Sequence, residues 1–275
     1  MMRANLRLER SYVPPTIFPK ISPTIVPKKI VQPPLPEEHL PTMYDLPSED
    51  PSALGLPDDF HSHQPQLLRE TFRPENYSSE EFYVAEDLNL YYDKHHSDWY
   101  KRPDWFAVLG VPPLYGAERV MRYSYVMWQE KVPPFIVVEL LSDSSEKEDL
   151  GKIVPKPKKP PTKWEVYERR VKIPFYVIFS RDLDQFQVFQ LVKGRYQEIP
   201  VAKKWFWLPK IQLGLGLWEG FYNGVEHEWL RWYDAKGEWI PTQTEIADFQ
   251  AKRADLAETE LAQLKALLAE KGLSL

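Results

Sequence analysis

One segment constrains the fold more than any other. Residues 135 to 141 read Phe-Ile-Val-Val-Glu-Leu-Leu, and a near-continuous apolar run of that length is the signature of a strand covered on both faces. The chain therefore needs packed layers above and below a sheet. Glu139 sits inside this run. Burying a carboxylate there costs several kcal/mol unless it is paired with a base or bound to a cation. A structural role requires a nearby lysine or arginine; a functional role requires further acids.

A second acid is available. Asp104 lies in Lys-Arg-Pro-Asp-Trp-Phe-Ala-Val-Leu-Gly, residues 101 to 110, at the entrance of a predicted strand from Trp105 to Leu109. Alone, an aspartate after proline at a strand start is an ordinary turn or cap residue. Together with Glu139 it suggests a divalent metal site on two neighbouring strands. Mg²⁺ suits such a pair, because it takes a few carboxylate oxygens, keeps several waters and completes its shell with phosphate; Mn²⁺ is the alternative. Lys163 begins a helix predicted to run to about Val171, with Thr162 as its N-cap and Glu165 near capping-box spacing. Two acids and this lysine make a hydrolytic set: Asp104 and Glu139 hold the cation, and Lys163 steadies the attacking water or the developing phosphoryl charge.

Other candidates weigh less. Lys147 lies in Glu-Lys-Glu-Asp, a run most simply read as a solvated face pairing locally. Lys156, Lys158 and Lys159 in a proline-rich tract can meet phosphates or remain a solvated loop. His61, His63, His95 and His96 lack the helical spacing of a zinc site and read as surface or capping residues. Tyr91, Tyr92, Trp99 and the tryptophans further on read as core rather than as stacking platforms.

The 275 residues suffice for one core of about 150 to 200 residues with extensions. The net charge of −5, from 35 basic and 40 acidic residues, neither supports nor excludes nucleic acid. Cysteine is absent, which removes disulfides, thiolate zinc sites and cysteine nucleophiles and fits a reducing compartment. No apolar run approaches the roughly 20 residues of a membrane span, and no signal-type segment opens the chain. A soluble, cytoplasmic protein without membrane partners is the expectation.

Prolines recur from about residue 13 to 57 and forbid regular helix or central strand there, so this stretch reads as an extended arm. A short helix is predicted after Pro65, a strand over residues 81 to 92, and further strands at 123 to 128, 175 to 179, 186 to 191 and 196 to 199. Lys193-Gly194 marks a hairpin turn, and Trp205 to Trp239 reads as short strands and turns. From Thr242 the composition turns to Ala, Glu, Lys, Leu and Gln, with Ala257, Leu261, Leu264 and Leu268 in 4-3-4 spacing. The pattern predicts an amphipathic helix. Its about two to three heptads favour a docked helix over a dimeric coiled coil.

Read together, Gly55-Leu-Pro-Asp-Asp-Phe-His, Gln64-Pro-Gln-Leu-Leu-Arg-Glu-Thr-Phe, Asp87-Leu-Asn-Leu-Tyr-Tyr-Asp, Lys101-Arg-Pro-Asp-Trp-Phe, Val137-Val-Glu-Leu-Leu-Ser and Pro161-Thr-Lys-Trp-Glu-Val-Tyr-Glu resemble the Uma-type restriction endonuclease family of the PD-(D/E)XK nuclease superfamily. The similarity runs from about residue 40 to 240. It implies an α/β, restriction-endonuclease-like mixed sheet flanked by helices and Mg²⁺-dependent hydrolysis of phosphodiester bonds, with DNA as partner. With the readings above, the chain divides into an arm over 1–40, the nuclease-like domain over 41–240, and an amphipathic helix over 241–275, to which the leading hypothesis assigns self-association. Asp104 matches the family's Pro-Asp acid and Glu139 the acid of the next core strand. The superfamily lysine usually stands two residues after that acid, where this chain has Leu141, so the role passes to Lys163. Asp143 replaces a proline common in relatives and adds negative charge beside the site.

The leading expectation is a metal-dependent endonuclease with Asp104, Glu139 and Lys163 at its centre. The alternatives are a nuclease-fold interaction module that cleaves nothing, and a structural homodimer whose buried acids pair with lysines.

Overall fold

The computed structural model describes residues 41–42, 45, 59–141, 149–152, 159–180, 185–201 and 204–271. The arm, the 142–148 loop with Asp143 and Lys147, and the tract carrying Lys156 and Lys158 lie outside these residues.

The run around Glu139 forms the centre of a six-stranded mixed sheet. Its strands are β1 (Phe82–Glu86), β4 (Trp105–Leu109), β6 (Ile136–Leu140), β7 (Phe175–Ser180), β8 (Gln185–Val192) and β9 (Arg195–Ile199), in the order β1-β4-β6-β7-β8-β9. Only β6 and β7 are parallel, with Glu139 opposite Ile178; the other pairs are antiparallel. All five residues of β4 and of β6 are buried, as expected of strands covered on both faces. Period-two alternation then sorts their side chains.

One face carries Trp105, Ala107, Ile136, Val138, Leu140, Val177 and Phe179 against helix α1 (Asp59–Thr71) and a second sheet of β10 (Trp205–Leu208), β11 (Leu213–Tyr222) and β12 (Val225–Tyr233). Phe72, Trp105 and Trp232 meet edge to face or tilted at 5.1–5.8 Å between ring centroids. Gln64 ties α1 to β12, donating to the Leu230 carbonyl at 2.7 Å and accepting from the Leu230 N–H at 2.8 Å. The opposite face carries Phe106, Val108, Val137, Leu141, Tyr176 and Ile178. It packs against Val166, Tyr167 and Val171 from the crossover between β6 and β7, and against Tyr125 from a small sheet of β3 (Tyr100–Lys101), β2 (Leu90–Tyr91) and β5 (Tyr125–Val126).

The crossover helix is unusual in its winding. Thr162 caps it by accepting from the Glu165 N–H at 3.2 Å, a single α-turn, α3, follows at Lys163–Glu165, and the chain continues as π-helix over Val166–Val171. Short π-segments recur at functional sites because they re-aim side chains.

Several local expectations change. The predicted strand over residues 81 to 92 breaks at Asp87, whose positive φ of 48° turns the chain between β1 and β2. The predicted strand at 123 to 128 keeps only Tyr125–Val126 and then makes one helical turn, α2 (Met127–Glu130). Helix α1 starts six residues before Pro65, placing the proline inside it. The glycine-rich region from Trp205 holds one short strand as expected, β10, and then a long hairpin in place of further short strands: β11 and β12 pair over nine positions around Asn223-Gly224, both left-handed, as a two-residue turn requires. Gly214 within β11 is needed because a side chain there would run into the Tyr233 ring.

The terminal helix, α4 (Gln243–Glu270), opens with a complete capping box. Thr242 N donates to Glu245 Oε2 at 2.7 Å and Thr242 Oγ1 accepts from Glu245 N at 3.2 Å. Arg231 of β12 reaches the same glutamate and stacks 4.2 Å from the Trp218 ring. Beyond this anchored first turn the docked helix favoured by the short repeat is not found: every residue from Ala247 to Leu267 is exposed. No helix among the described residues is long and apolar enough to cross a membrane.

Candidate active site

Asp104 and Glu139 come together through strand register. The β4–β6 ladder pairs Trp105 with Val138, so Asp104 falls opposite Glu139 and both project from the α3 face. The ladder ends there because side chains replace its next bonds. Asp104 Oδ2 accepts from the Leu140 N–H at 2.6 Å, and Asp104 N donates to Glu139 Oε2 at 3.4 Å.

Glu139 is fully buried, and its structural demand for a base is met by the lysine proposed for chemistry. Lys163 Nζ lies 2.8 Å from Glu139 Oε2 and 3.2 Å from Asp149 Oδ1. Tyr167 donates its hydroxyl to Glu139 Oε1 at 2.6 Å. Lys163 and Tyr167 are four residues apart, so successive turns of the crossover helix present both to one carboxylate. Leu141, at the superfamily lysine's usual position, is buried in the core and donates its N–H to Phe179 O at 2.8 Å.

Three buried or partly buried carboxylates, Asp104, Glu139 and Asp149, surround the ammonium of Lys163, and burial dominates the protonation of the first two. Burial, with Asp104 close by, pushes the Glu139 carboxyl up from its ordinary 4.5 to about 7 despite Lys163 and Tyr167. Burial also raises Asp104, against the pull of Lys163 and of the Leu140 N–H. Lys163 is held well above the usual lysine range because Glu139, Asp149 and Asp104 together outweigh its own desolvation.

Three neighbours escaped the sequence reading. His61, read from sequence as a surface or capping residue, is buried on α1, with Nε2 3.3 Å from the Leu140 carbonyl. Its signal was the stripe Phe60, His61, Gln64, Leu67, Leu68 and Thr71, which has helical spacing. Tyr167 was legible as the residue four beyond Lys163. Asp149 carried no such signal, because it belongs to a charged run that looks solvated. His63, His95 and His96 stay on the surface, and His96 bonds Asp93 at 3.0 Å. Lys159 is exposed.

Among the described residues no group of three or more His, Asp and Glu side chains is arranged to hold a metal ion unaided. The donor chemistry nonetheless fits a hydrated divalent cation. Asp104 and Glu139 offer hard oxygens at the end of β6, and the cluster carries more negative charge than Lys163 neutralises.

A mixed sheet with one acid at a strand entrance, a second inside the neighbouring central strand, and a lysine delivered by the crossover helix is consistent with the restriction-endonuclease-like class. Residues 35–220 match the family model described as "Uma2: Putative restriction endonuclease", and the chain belongs to that family. A search of the curated proteins found none that matches the chain.

Proposed function

We propose that the protein is a divalent-metal-dependent endonuclease that hydrolyses phosphodiester bonds of DNA. The observation that carries this reading is the meeting of Asp104, Glu139 and Lys163 in one buried, electronegative cluster on a nuclease-family chain. Asp104 and Glu139 hold Mg²⁺ or Mn²⁺, which when bound supplies charge neutralisation at a scissile phosphate and lowers the pKa of a nearby water. Lys163 keeps its proton at neutral pH, so it orients water and stabilises phosphoryl charge as a cation, not as a general base. Tyr167 fixes the rotamer of Glu139 by holding the oxygen that Lys163 does not. Plasmid nicking by the purified protein tests the assignment. Cleavage is expected only with Mg²⁺ or Mn²⁺ and is lost in Glu139→Gln; cleavage that persists in chelator or in this variant rules the site out.

The exposed α4 supports self-association as the second part of the proposal. Phe249, Leu256, Leu261, Leu264 and Leu267 are each about half exposed or more along a helix of 28 residues. A helix this long with uncovered leucines is stabilised by packing on a partner helix. Light scattering is expected to give a multiple of the chain mass that falls to one chain on removal of residues 243–275; an unchanged mass assigns the helix another role.

A further inference from the structure

Lys163 is bound by two carboxylates, only one of which belongs to the proposed metal pair. Both oxygens of Glu139 are engaged, Oε2 by Lys163 Nζ at 2.8 Å and by Asp104 N at 3.4 Å, and Oε1 by the Tyr167 hydroxyl at 2.6 Å. A divalent cation and an ammonium sharing this carboxylate repel each other strongly in a buried site. Coordination at Glu139 therefore requires Lys163 to give ground while staying charged and close.

Asp149 meets that requirement. It is fully buried, lies 3.2 Å from Lys163 Nζ, and comes from the chain that leaves β6 rather than from the sheet. The segment that carries it is pinned at two further points. Tyr176 of β7 donates its hydroxyl to the Asp149 carbonyl at 3.0 Å. Gly151, at φ +65°, lies so close to the Trp164 ring that a Cβ there would stand 2.9 Å from it, which seats the segment beside the helix bearing Lys163. Trp164 in turn packs edge to face on Tyr176 and Phe189. The main chain that carries the Asp149 carboxylate is thus held in place independently of Glu139, while the ammonium sits on a flexible four-carbon stem anchored at the first helical residue after the Thr162 cap.

We infer that Asp149 is a positioning residue that retains Lys163 when Glu139 turns to a divalent cation, so that metal entry transfers the ammonium between two carboxylates instead of expelling it from the site. The inference rests on the proposed metal pair and adds to it a residue that is not a ligand. Its distinctive consequence is that Asp149 influences metal affinity only through Lys163.

The test is calorimetric Mn²⁺ titration of the full-length wild type, Asp149→Asn, Lys163→Met and the double variant, with thermal unfolding run on the same samples. Asp149→Asn is expected to weaken Mn²⁺ binding by about tenfold or more, the usual effect of losing a group that supports a ligand. Lys163→Met is expected to tighten binding, and adding Asp149→Asn to it to change affinity little. Equal weakening in both backgrounds overturns the inference by making Asp149 act on the cation directly, as a ligand or through its own charge. No weakening in the native background overturns it by making the ion pair purely structural. Either result leaves the metal pair standing, whereas a wild type that takes up no Mn²⁺ removes both together. Should Asp149→Asn not fold, Asp149→Glu carries the test: near-native affinity is expected from the retained charge, and a tenfold loss overturns the assignment.

Discussion

The two faces of β6 solve opposite problems with adjacent residues. Val138 and Leu140 look into an aromatic core of Phe72, Trp105, Trp229 and Trp232 with α1 over it. Glu139, between them in sequence, looks into Lys163, Tyr167 and Asp104. The first face gains stability from every contact. The second places more negative charge than positive in a dry cluster, an arrangement that apolar residues of the same volume would often match or exceed in stability. The difference teaches that one face anchors the strand so that the other can keep an unfavourable set of charges in register.

The largest effect should come from breaking the anchoring face. Trp232→Ala removes a fully buried ring packed on Phe72 and Trp105 and is expected to lower unfolding free energy by about 3–5 kcal/mol in a denaturant titration. That loss should hardly vary with pH, since the ring touches none of the acids in the cluster. A strongly pH-dependent loss would mean that the two faces are not energetically separate.

A smaller effect sharpens the contrast from the charged side. Tyr167→Phe keeps the ring and deletes the hydroxyl that donates to Glu139 Oε1. The expected cost is about 1.5–3 kcal/mol at alkaline pH, where the acceptor is ionised. The cost should shrink as pH falls below about 7, because Glu139 takes up its proton there and no longer needs a charge-stabilising donor. A loss that is constant with pH would assign Tyr167 to packing alone.

The layering of the fold was legible because it rests on burial pattern. The run around Glu139, the alternation in β8 and the Lys193-Gly194 turn each specify their elements locally, and the structure has strands and a left-handed turn at those places. What the pattern hid was set by tertiary context. Nothing in the strand-like run from residue 81 to 92 shows that Asp87 breaks it, and eleven glycines in 275 residues, several of them beyond Trp205, conceal a hairpin whose Gly214 makes room for Tyr233. The meeting of Asp104 with Glu139 followed from their strands. That Lys163 would reach the same carboxylate followed from the family resemblance and its place at the start of the crossover helix. Asp149 joined the cluster through long-range packing that spacing along the chain does not encode, whereas the helical stripe of α1 marked His61 as buried but not what it would face.

The central claim is that Asp104 and Glu139 form a cation site whose occupancy competes with a proton on Glu139. Sign and window follow from the raised carboxyl. The folded state holds this proton more tightly than the unfolded chain, so the stabilisation from Glu139 is complete below about 4.5 and lost as pH rises through about 7. Metal binding, which needs the ionised form, must run the other way. Calorimetric Mn²⁺ titration of wild type and Asp104→Asn between about pH 5.5 and about pH 8.5 decides the matter. The account predicts one bound Mn²⁺ in the wild type, with affinity climbing as pH rises to about 7 and then levelling, and a marked loss in Asp104→Asn. Binding that ignores pH, survives in Asp104→Asn, or is absent from the wild type would contradict it.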